Sequence, residues 1–247
     1  MQAYKLIMLH FRIGTTELLR TPSYVVFTMA FPTLFYAFFG LPNASQPAMS
    51  RLMMASFAAY AVIGIALFQF GVSIAQERAS SWEAFQRMLP VSSGVRLAAR
   101  VLSALVFAAA AAGLVILVAV LFGKPGLSMG MLFSLVGGLL IGVIPFALLG
   151  IALGYFSSEK AAVPLANLIY LPLAFVGGLW IPPQFLPKAV AAISPFVPTR
   201  SFGDIVWAAV GPRPWPPQAL AALACYAAIF AVLALWGYRR DEGRRYS

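Results

Sequence analysis

Long apolar runs separated by short polar segments make up most of this chain of 247 residues. A transmembrane helix requires about 20 predominantly apolar residues, and runs of that length occur six times. Their approximate bounds are 23–41, 53–75, 100–122, 128–156, 161–181 and 218–238. The pattern predicts an all-α polytopic integral membrane protein with six transmembrane helices. Because no intervening segment can hold a soluble domain of about 50 residues, we expect residues 1–247 to form a single transmembrane domain.

Composition and charge strengthen the membrane prediction and add an orientation. The chain is 62% hydrophobic and 10% charged, whereas a soluble domain carries about 25% charged residues. Twelve of the 17 Lys and Arg residues lie in alternate segments, including the N-terminal segment, the 76–100 loop and the C-terminal tail. The positive-inside bias therefore places both termini and this loop in the cytoplasm. Since topology accounts for the net charge of +10, we expect no nucleic-acid partner.

Residues 3–21, before the first apolar run, are predicted to form an amphipathic helix on the membrane surface. On a helical wheel the polar side chains fall mainly in one sector, with apolar side chains opposite. The polar members are Lys5, His10, Arg12, Glu17 and Arg20. This arrangement is typical of an interfacial helix whose cations contact anionic lipid head groups.

Four glycines of the fourth apolar run recur at multiples of four residues and share one face of the predicted helix. They are Gly138, Gly142, Gly150 and Gly154. Small residues at this spacing let helices approach closely, so we expect a packing face. Pro145 interrupts the same run and predicts a bend. A moving hinge at this point is an alternative interpretation.

The segment between the last two runs, 182–213, is rich in proline yet carries many apolar side chains. It is predicted to lie on the extracellular side, with short helices at about 184–194 and 199–209. Its apolar side chains are too numerous for a freely solvated loop. We therefore expect a re-entrant segment that dips into the outer leaflet or caps the bundle, where protein must satisfy its irregular backbone.

Several kinds of chemistry are missing from the sequence. No apolar run has an acidic or basic residue near its centre, which argues against proton or sodium coupling through buried carboxylates. The only histidine, His10, lies outside the runs, and no paired acidic motif could hold a metal ion. A GxxxxGK[ST] phosphate loop is also missing. We therefore predict no catalytic residue, metal site or cofactor in this chain, and any active transport would draw energy from a partner.

A polar, helix-prone segment, 76–98, interrupts the apolar pattern between the second and third runs. It combines mixed charges with aromatic residues and proline, and its candidate contact residues are Glu77, Arg78, Trp82, Glu83, Phe85, Arg87 and Pro90. An aromatic anchor surrounded by charge is typical of a protein interface hot spot. The alternative is an ordinary solvated loop whose positive charge only sets the topology.

Four features follow one another along the chain. Glu17-Leu-Leu-Arg20-Thr-Pro22 precedes a first run containing Phe31-Pro32, and Glu77-Arg78 precedes Trp82-Glu83-Ala84-Phe85 and Leu89-Pro90-Val91-Ser92. The fifth run ends in Gly177-Gly178-Leu-Trp-Ile-Pro182, followed by Phe185-Leu-Pro187 and Ser194-Pro195, and a short last run ends in a basic tail. In this order they resemble the permease subunits of type-2 ATP-binding-cassette (ABC) exporters of the multidrug and antibiotic-resistance group. Ser81, where the family often has Gly, and Val197-Pro198-Thr199, which lacks the usual aromatic residue, depart from its pattern.

The resemblance implies a complex in the bacterial cytoplasmic (inner) membrane. Two permeases, a homodimer in the simplest case, would pair above two copies of an ABC ATPase, which bind ATP and Mg²⁺. The 76–98 segment would dock on the ATPase, and the substrate would be a hydrophobic or amphipathic drug, antibiotic or lipid. Residues expected at an extracellular gate are Gly177, Gly178, Trp180, Pro182, Phe185 and Pro195. The alternatives are an energy-independent channel or facilitator and a membrane-embedded enzyme of lipid metabolism.

Overall fold

The computed structural model describes residues 2–20, 25–80 and 93–245, and within these ranges the chain is helical with no β-strand. The all-α prediction is confirmed. The helices are α1 (Gln2–Leu19), α2 (26–43), α3 (Pro47–Ala79), α4 (93–123), α5 (Met129–Phe156), α6 (Glu159–Val176), α7 (Lys188–Ile193), α8 (Pro198–Ala209) and α9 (Pro217–Arg245).

Among the described residues, five helices are long and apolar enough to cross a membrane. They cover Pro47–Ala79, Leu97–Gly123, Met129–Phe156, Glu159–Val176 and Pro217–Asp241, and these correspond to the second through sixth predicted runs. The first predicted span, 23–41, is described from residue 25 onward and is helical there. In α2 a short α-helical stretch lies between two π-helical segments and leads to a 3₁₀ turn. Its role as a sixth span stays a prediction.

Several of these helices begin at a capping serine or at a proline in the first turn. The Ser128 side chain accepts a hydrogen bond from the Met131 N–H at 3.2 Å, and Ser158 accepts one from the Ala161 N–H at 3.3 Å. Such N-caps satisfy amide groups that have no partner within the helix. Pro47 and Pro198 occupy the first turns of α3 and α8, where the missing N–H costs nothing.

Helix α3 forms the centre of the bundle. In its most apolar stretch 89% of the residues are buried, whereas the corresponding shares are 22% in α6 and 17% in α9. Helices α2, α4, α5, α6 and α8 pack around α3, whereas α9 packs on α5 and α8. The outer sides of α6 and α9 present large apolar side chains outward, such as Leu168 and Val232. An apolar exterior around a filled core is what a bilayer solvent permits.

Consecutive long helices run in alternating directions, so the two ends of α3 define the two ends of the bundle. Helix α1 contacts α4 at the Arg78 end of the bundle. The hydroxyls of Thr15 and Ser103 lie 3.1 Å apart, and Ser103 follows Arg100, which pairs with Glu77 beside Arg78. Asp241 of α9 lies at the same end, because it pairs with Arg78. The Arg51 end holds the residues that follow α4, since the Arg51 Nη1 donates to the Pro125 carbonyl at 2.9 Å. The chain segments near both termini therefore share an end with residues 76–80 and 93–98.

The glycines of α5 lie where other helices approach closely. A Cβ at Gly142 would overlap the Phe202 ring of α8, and one at Gly150 would lie 2.7 Å from the Ala66 carbonyl oxygen of α3. The facing part of α3 is a π-helical segment, Leu67–Val72. The predicted glycine face therefore meets two helices, α8 through Gly138 and Gly142 and α3 through Gly150 and Gly154. Pro145 lies inside α5, which continues through it.

Candidate functional site

Arg78, near the last turn of α3, binds the end of α5. Its Nη1 donates to the carbonyl oxygens of Gly154 at 2.8 Å, Tyr155 at 3.1 Å and Ser157 at 3.4 Å. Its guanidinium carbon lies 5.5 Å from the centre of the Tyr155 ring. The last carbonyls of a helix have no partner within the helix and carry partial negative charge. Arg78 therefore caps α5 from outside.

The same guanidinium also reaches α9. Its Nη2 forms an ion pair with Asp241, and the two side chains are only 20% and 11% exposed. Arg78 thus joins α3, α5 and α9 at one point. The sequence interpretation treated Arg78 as a contact for a partner protein, whereas the structure directs its side chain into the bundle.

Glu77 faces a different helix. Its carboxylate forms an ion pair with Arg100 of α4, and both groups are accessible to water. Since α3 ends at Ala79 and α4 begins at Ser93, this pair links the two helices from which the intervening segment extends. Trp82, Glu83, Phe85, Arg87 and Pro90 fall within 81–92, outside the described residues. Their roles stay predictions.

At the Arg51 end, the predicted gate residues Gly177 and Gly178 occupy the junction of α6 and α8. Thr199, at the start of α8, donates its hydroxyl proton to the Leu173 carbonyl oxygen of α6 at 2.5 Å. A Cβ at Gly177 would overlap the Thr199 side chain. Gly178 has φ +81°, a conformation that favours glycine. The Gly177-Gly178 pair therefore lets the chain turn sharply against α8.

Trp180 packs into an aromatic group contributed by α2 and α3. Its ring centre lies 5.3 Å from that of Phe35 and 5.7 Å from that of Tyr60. Its indole N–H is buried and meets no hydrogen-bond acceptor among the described residues. Trp180, Pro182 and Phe185 also line a shallow depression of about 210 Å³.

The six predicted gate residues are therefore not equally placed. Gly177, Gly178 and Pro182 are buried, and Trp180 is half-buried. Phe185 is 65% exposed and lies at the rim of the depression. Pro195 is exposed and does not line the depression.

Helix α8 is fastened to the central helix by a hydrogen bond between side chains. The Trp207 Nε1 donates to the Ser56 hydroxyl of α3 at 2.7 Å. On the same helix, the Arg200 Nε lies 2.9 Å from the Asp204 carboxylate. Burial raises the pKa of the Asp204 carboxyl, and the Arg200 guanidinium opposes that shift. Within 182–213, the predicted short helices correspond to α7 and α8.

The partners of Glu77 and Arg78 were not predicted from the sequence. Arg100 entered the prediction only as a topological charge, and Asp241 was not considered. Asp241 and Glu242 are adjacent acidic residues in an otherwise arginine-rich tail, and this acidic pair was the available signal. The structure pairs Asp241 with Arg78. Its pairing with Arg78, 163 positions earlier, depends on the folded arrangement of α3 and α9.

The described residues show no arrangement suited to metal chemistry. Within 2–20, 25–80 and 93–245, no group of three or more His, Cys, Asp or Glu side chains could hold a metal ion. The site chemistry is that of helix caps, ion pairs and aromatic packing.

Comparison with known proteins gives the family. Residues 36–236 match the family model described as "ABC-2 family transporter protein", which is more than half of the chain. A Bacillus subtilis (strain 168) protein named "Putative transport permease YvfS" is 28% identical over 236 residues, covering 92% of this chain and 94% of the relative. The resemblance to an ABC-2 permease is therefore confirmed. The chain belongs to the ABC-2 transporter family and is a membrane permease of an ABC transporter.

Proposed function

We propose that this chain is the permease subunit of an ATP-driven exporter that moves a hydrophobic or amphipathic substrate out across the bacterial cytoplasmic membrane. A separate ABC ATPase, present in two copies, supplies the energy, and two copies of this chain form the pathway. The observation that carries the proposal is the Arg78 joint, by which we mean the contacts of Arg78 on α3 with the end of α5 and with Asp241 of α9. These contacts lie beside the segment predicted to dock on the ATPase.

The joint gives that segment a means of moving the bundle. A displacement of residues 81–92 acts directly on the ends of α3 and α4, which Glu77 and Arg100 hold together. Through Arg78 it also acts on α5 and α9. ATP binding that favours one position of the segment would thereby shift the population between inward-open and outward-open arrangements.

The character of the spans supports an apolar or amphipathic substrate. The five candidate spans carry their Asp, Glu, Lys and Arg residues only near their ends. A strongly charged substrate would require compensating groups at mid-bilayer, where each uncompensated charge costs about 3 kcal/mol on insertion scales. Towards the Arg51 end, Phe35, Phe57, Tyr60 and Trp180 form an aromatic cluster, and Trp180 also lines the depression there.

Purification and reconstitution test this function. The tagged permease, solubilised mildly from its native membranes, is expected to co-purify with an ABC ATPase. Reconstituted together in vesicles with the ATPase outside, the two should accumulate a fluorescent amphipathic dye only when ATP and Mg²⁺ are added. A permease that equilibrates the dye without ATP and without the ATPase is instead an energy-independent facilitator.

A further inference from the structure

We propose that Arg200, Asp204 and Trp207 of α8 form a binding site for the zwitterionic head group of an amphipathic substrate. The proposal rests on the proposed function, because it narrows the class of molecule that the exporter carries. It depends on three features of α8, which are its accessible face, its level within the bundle and its pair of opposite charges.

One face of α8 is accessible. Four of its twelve residues are partly accessible, and the other eight are buried. The four are Arg200, Asp204, Trp207 and Ala208. At 3.6 residues per turn they fall within a sector of about 100°, so they form one stripe along the helix. Helices α3, α5, α6 and α9 pack on the rest of its surface. A ligand therefore reaches α8 along this stripe.

Helix α8 runs beside α5 inside the bundle. A Cβ at Gly142, near the middle of α5, would overlap the Phe202 ring, and one at Gly138 would lie 3.2 Å from Ile205. The two helices are therefore antiparallel, and α8 begins at its deeper end. At about 1.5 Å per residue, Gly142 lies about 20 Å from the start of α5 at Met129. The first turns of α8 thus lie beside the apolar span of α5 and not beyond it.

The Arg200 side chain extends from this level towards the Arg51 end. Its Nε bonds the Asp204 carboxylate at 2.9 Å, and its guanidinium carbon lies 5.6 Å from the centre of the Trp207 ring. Trp207 in turn bonds Ser56, five residues or about 8 Å from Arg51 along α3. The ion pair therefore lies within the apolar span but near its Arg51 end, which is where an amphipathic molecule in that leaflet places its head group.

The ion pair leaves part of its hydrogen-bonding capacity unused. The two side chains are 27% and 32% exposed. Among the described residues, the Arg200 guanidinium bonds Asp204 through Nε alone, and the Asp204 carboxylate accepts through Oδ1 alone. Two Nη groups side by side match the oxygens of a phosphate or carboxylate. The second oxygen of Asp204 attracts an ammonium group.

A zwitterion complements this pair better than a single charge does. An anion bound to Arg200 is repelled by Asp204, and a cation bound to Asp204 is repelled by Arg200. A head group that carries both charges satisfies both side chains, and the occupied site stays neutral. Neutrality matters at this level because charges removed from water are costly unless they are paired.

The test measures binding to the purified permease in dodecyl maltoside, whose head group is uncharged. Three probes carry the same NBD-labelled acyl chain and differ in head group: phosphatidylcholine, phosphatidic acid and diacylglycerol. Fluorescence anisotropy should show the phosphatidylcholine probe binding wild type about tenfold more tightly than the diacylglycerol probe, the gain typical of one hydrogen bond to a charged group.

The variants separate the two charges. Arg200→Gln and Arg200→Gln/Asp204→Asn should remove the preference for phosphatidylcholine. Asp204→Asn keeps the cation without its carboxylate and should shift the preference to the phosphatidic acid probe. Since this variant gains affinity for one probe, misfolding cannot imitate the result. The matched control Arg213→Gln removes an exposed arginine just beyond α8 and should keep the wild-type order.

A transport measurement separates a substrate from a bilayer lipid. In vesicles that contain the permease and its ATPase, the phosphatidylcholine probe should inhibit ATP-driven dye accumulation by wild type but not by Arg200→Gln/Asp204→Asn. A probe that binds the site without inhibiting dye export is a bilayer lipid, which overturns the assignment to the substrate.

The binding measurement decides whether the site exists. Equal binding of the three probes to wild type, or the same preference in wild type and the double variant, overturns the proposal. If ATP drives no dye accumulation at all, the proposed function fails instead, and the binding preference of the permease alone still tests the site.

Discussion

Arg51 and Arg78 lie at opposite ends of α3, where Arg51 binds the loop that follows α4 and Arg78 binds the carbonyl end of α5. Arg51 donates to the Pro125 carbonyl, just after α4, at 2.9 Å. Arg78 donates to three carbonyls at the end of α5. The last carbonyls of a helix attract cations, which favours the Arg78 contacts, and the two arginines together attach both ends of the central helix to its neighbours. The Arg78 end is also bound to α9 through Asp241.

This arrangement predicts a large and specific cost for losing Arg78. Arg78→Gln leaves the end of α5 uncapped and Asp241 without its cation, and we expect a loss of about 2–4 kcal/mol in the free energy of unfolding. Asp241→Asn should cost less, because Arg78 keeps its bonds to α5. The matched control is Arg240→Gln, which removes an exposed cation from α9, the helix that carries Asp241.

A double-mutant cycle in detergent or bicelles measures this coupling. If Arg78→Gln, Asp241→Asn and their combination show additive losses, the two side chains do not stabilise the bundle as a pair. Coupling of at least about 1 kcal/mol is the result that the geometry requires.

The substitution of glycine by alanine should have opposite effects on stability at Gly142 of α5 and at Gly113 of α4. Gly142→Ala would place a methyl group within the Phe202 ring, and such overpacking costs about 1–3 kcal/mol. Gly113→Ala, on the exposed side of α4, meets nothing within 4 Å and should stabilise the helix by up to about 1 kcal/mol. Thermal unfolding of both variants tests the difference.

A second substitution checks the cause of the loss at Gly142. Phe202→Leu makes room for the added methyl group, so Gly142→Ala should cost less in that background. An unchanged cost would show that α5 and α8 do not meet at this point.

The sequence predicted the broad architecture because its signals are local. Apolar runs of sufficient length predict six spans, and five of them correspond to candidate spans among the described residues. The repeat from Gly138 to Gly154 lies on the face of α5 that meets α3 and α8. The pairings could not be predicted in the same way. Arg78 and Asp241 are far apart in the chain, and no periodicity shows that α3 and α9 end together. The direction of the Arg78 side chain follows from that arrangement.

Glu77 and Arg100 should matter more for coupling than for stability. Their ion pair is accessible to water, so its loss should change the free energy of unfolding by less than about 1 kcal/mol. Under the proposed function, Glu77→Arg places two cations together and should reduce export per ATP hydrolysed. The exchange Glu77→Arg/Arg100→Glu restores opposite charges and should recover part of that ratio. Failure of the exchange while the bundle remains folded would remove the pair from the coupling mechanism.

Trp82→Ala and Glu83→Arg test the docking prediction directly. Both residues belong to the segment predicted to contact the ATPase, and an aromatic anchor at an interface typically contributes at least about 2 kcal/mol to binding. We therefore expect weaker ATPase binding, by about 30-fold or more for Trp82→Ala, and uncoupling of hydrolysis from export. Thermal unfolding of the isolated permease should change little. Phe196→Ala, which removes a ring that is 76% exposed at the Arg51 end, should leave ATPase binding unchanged. Wild-type binding and export in both docking variants would mean that the polar segment only sets the topology of the chain.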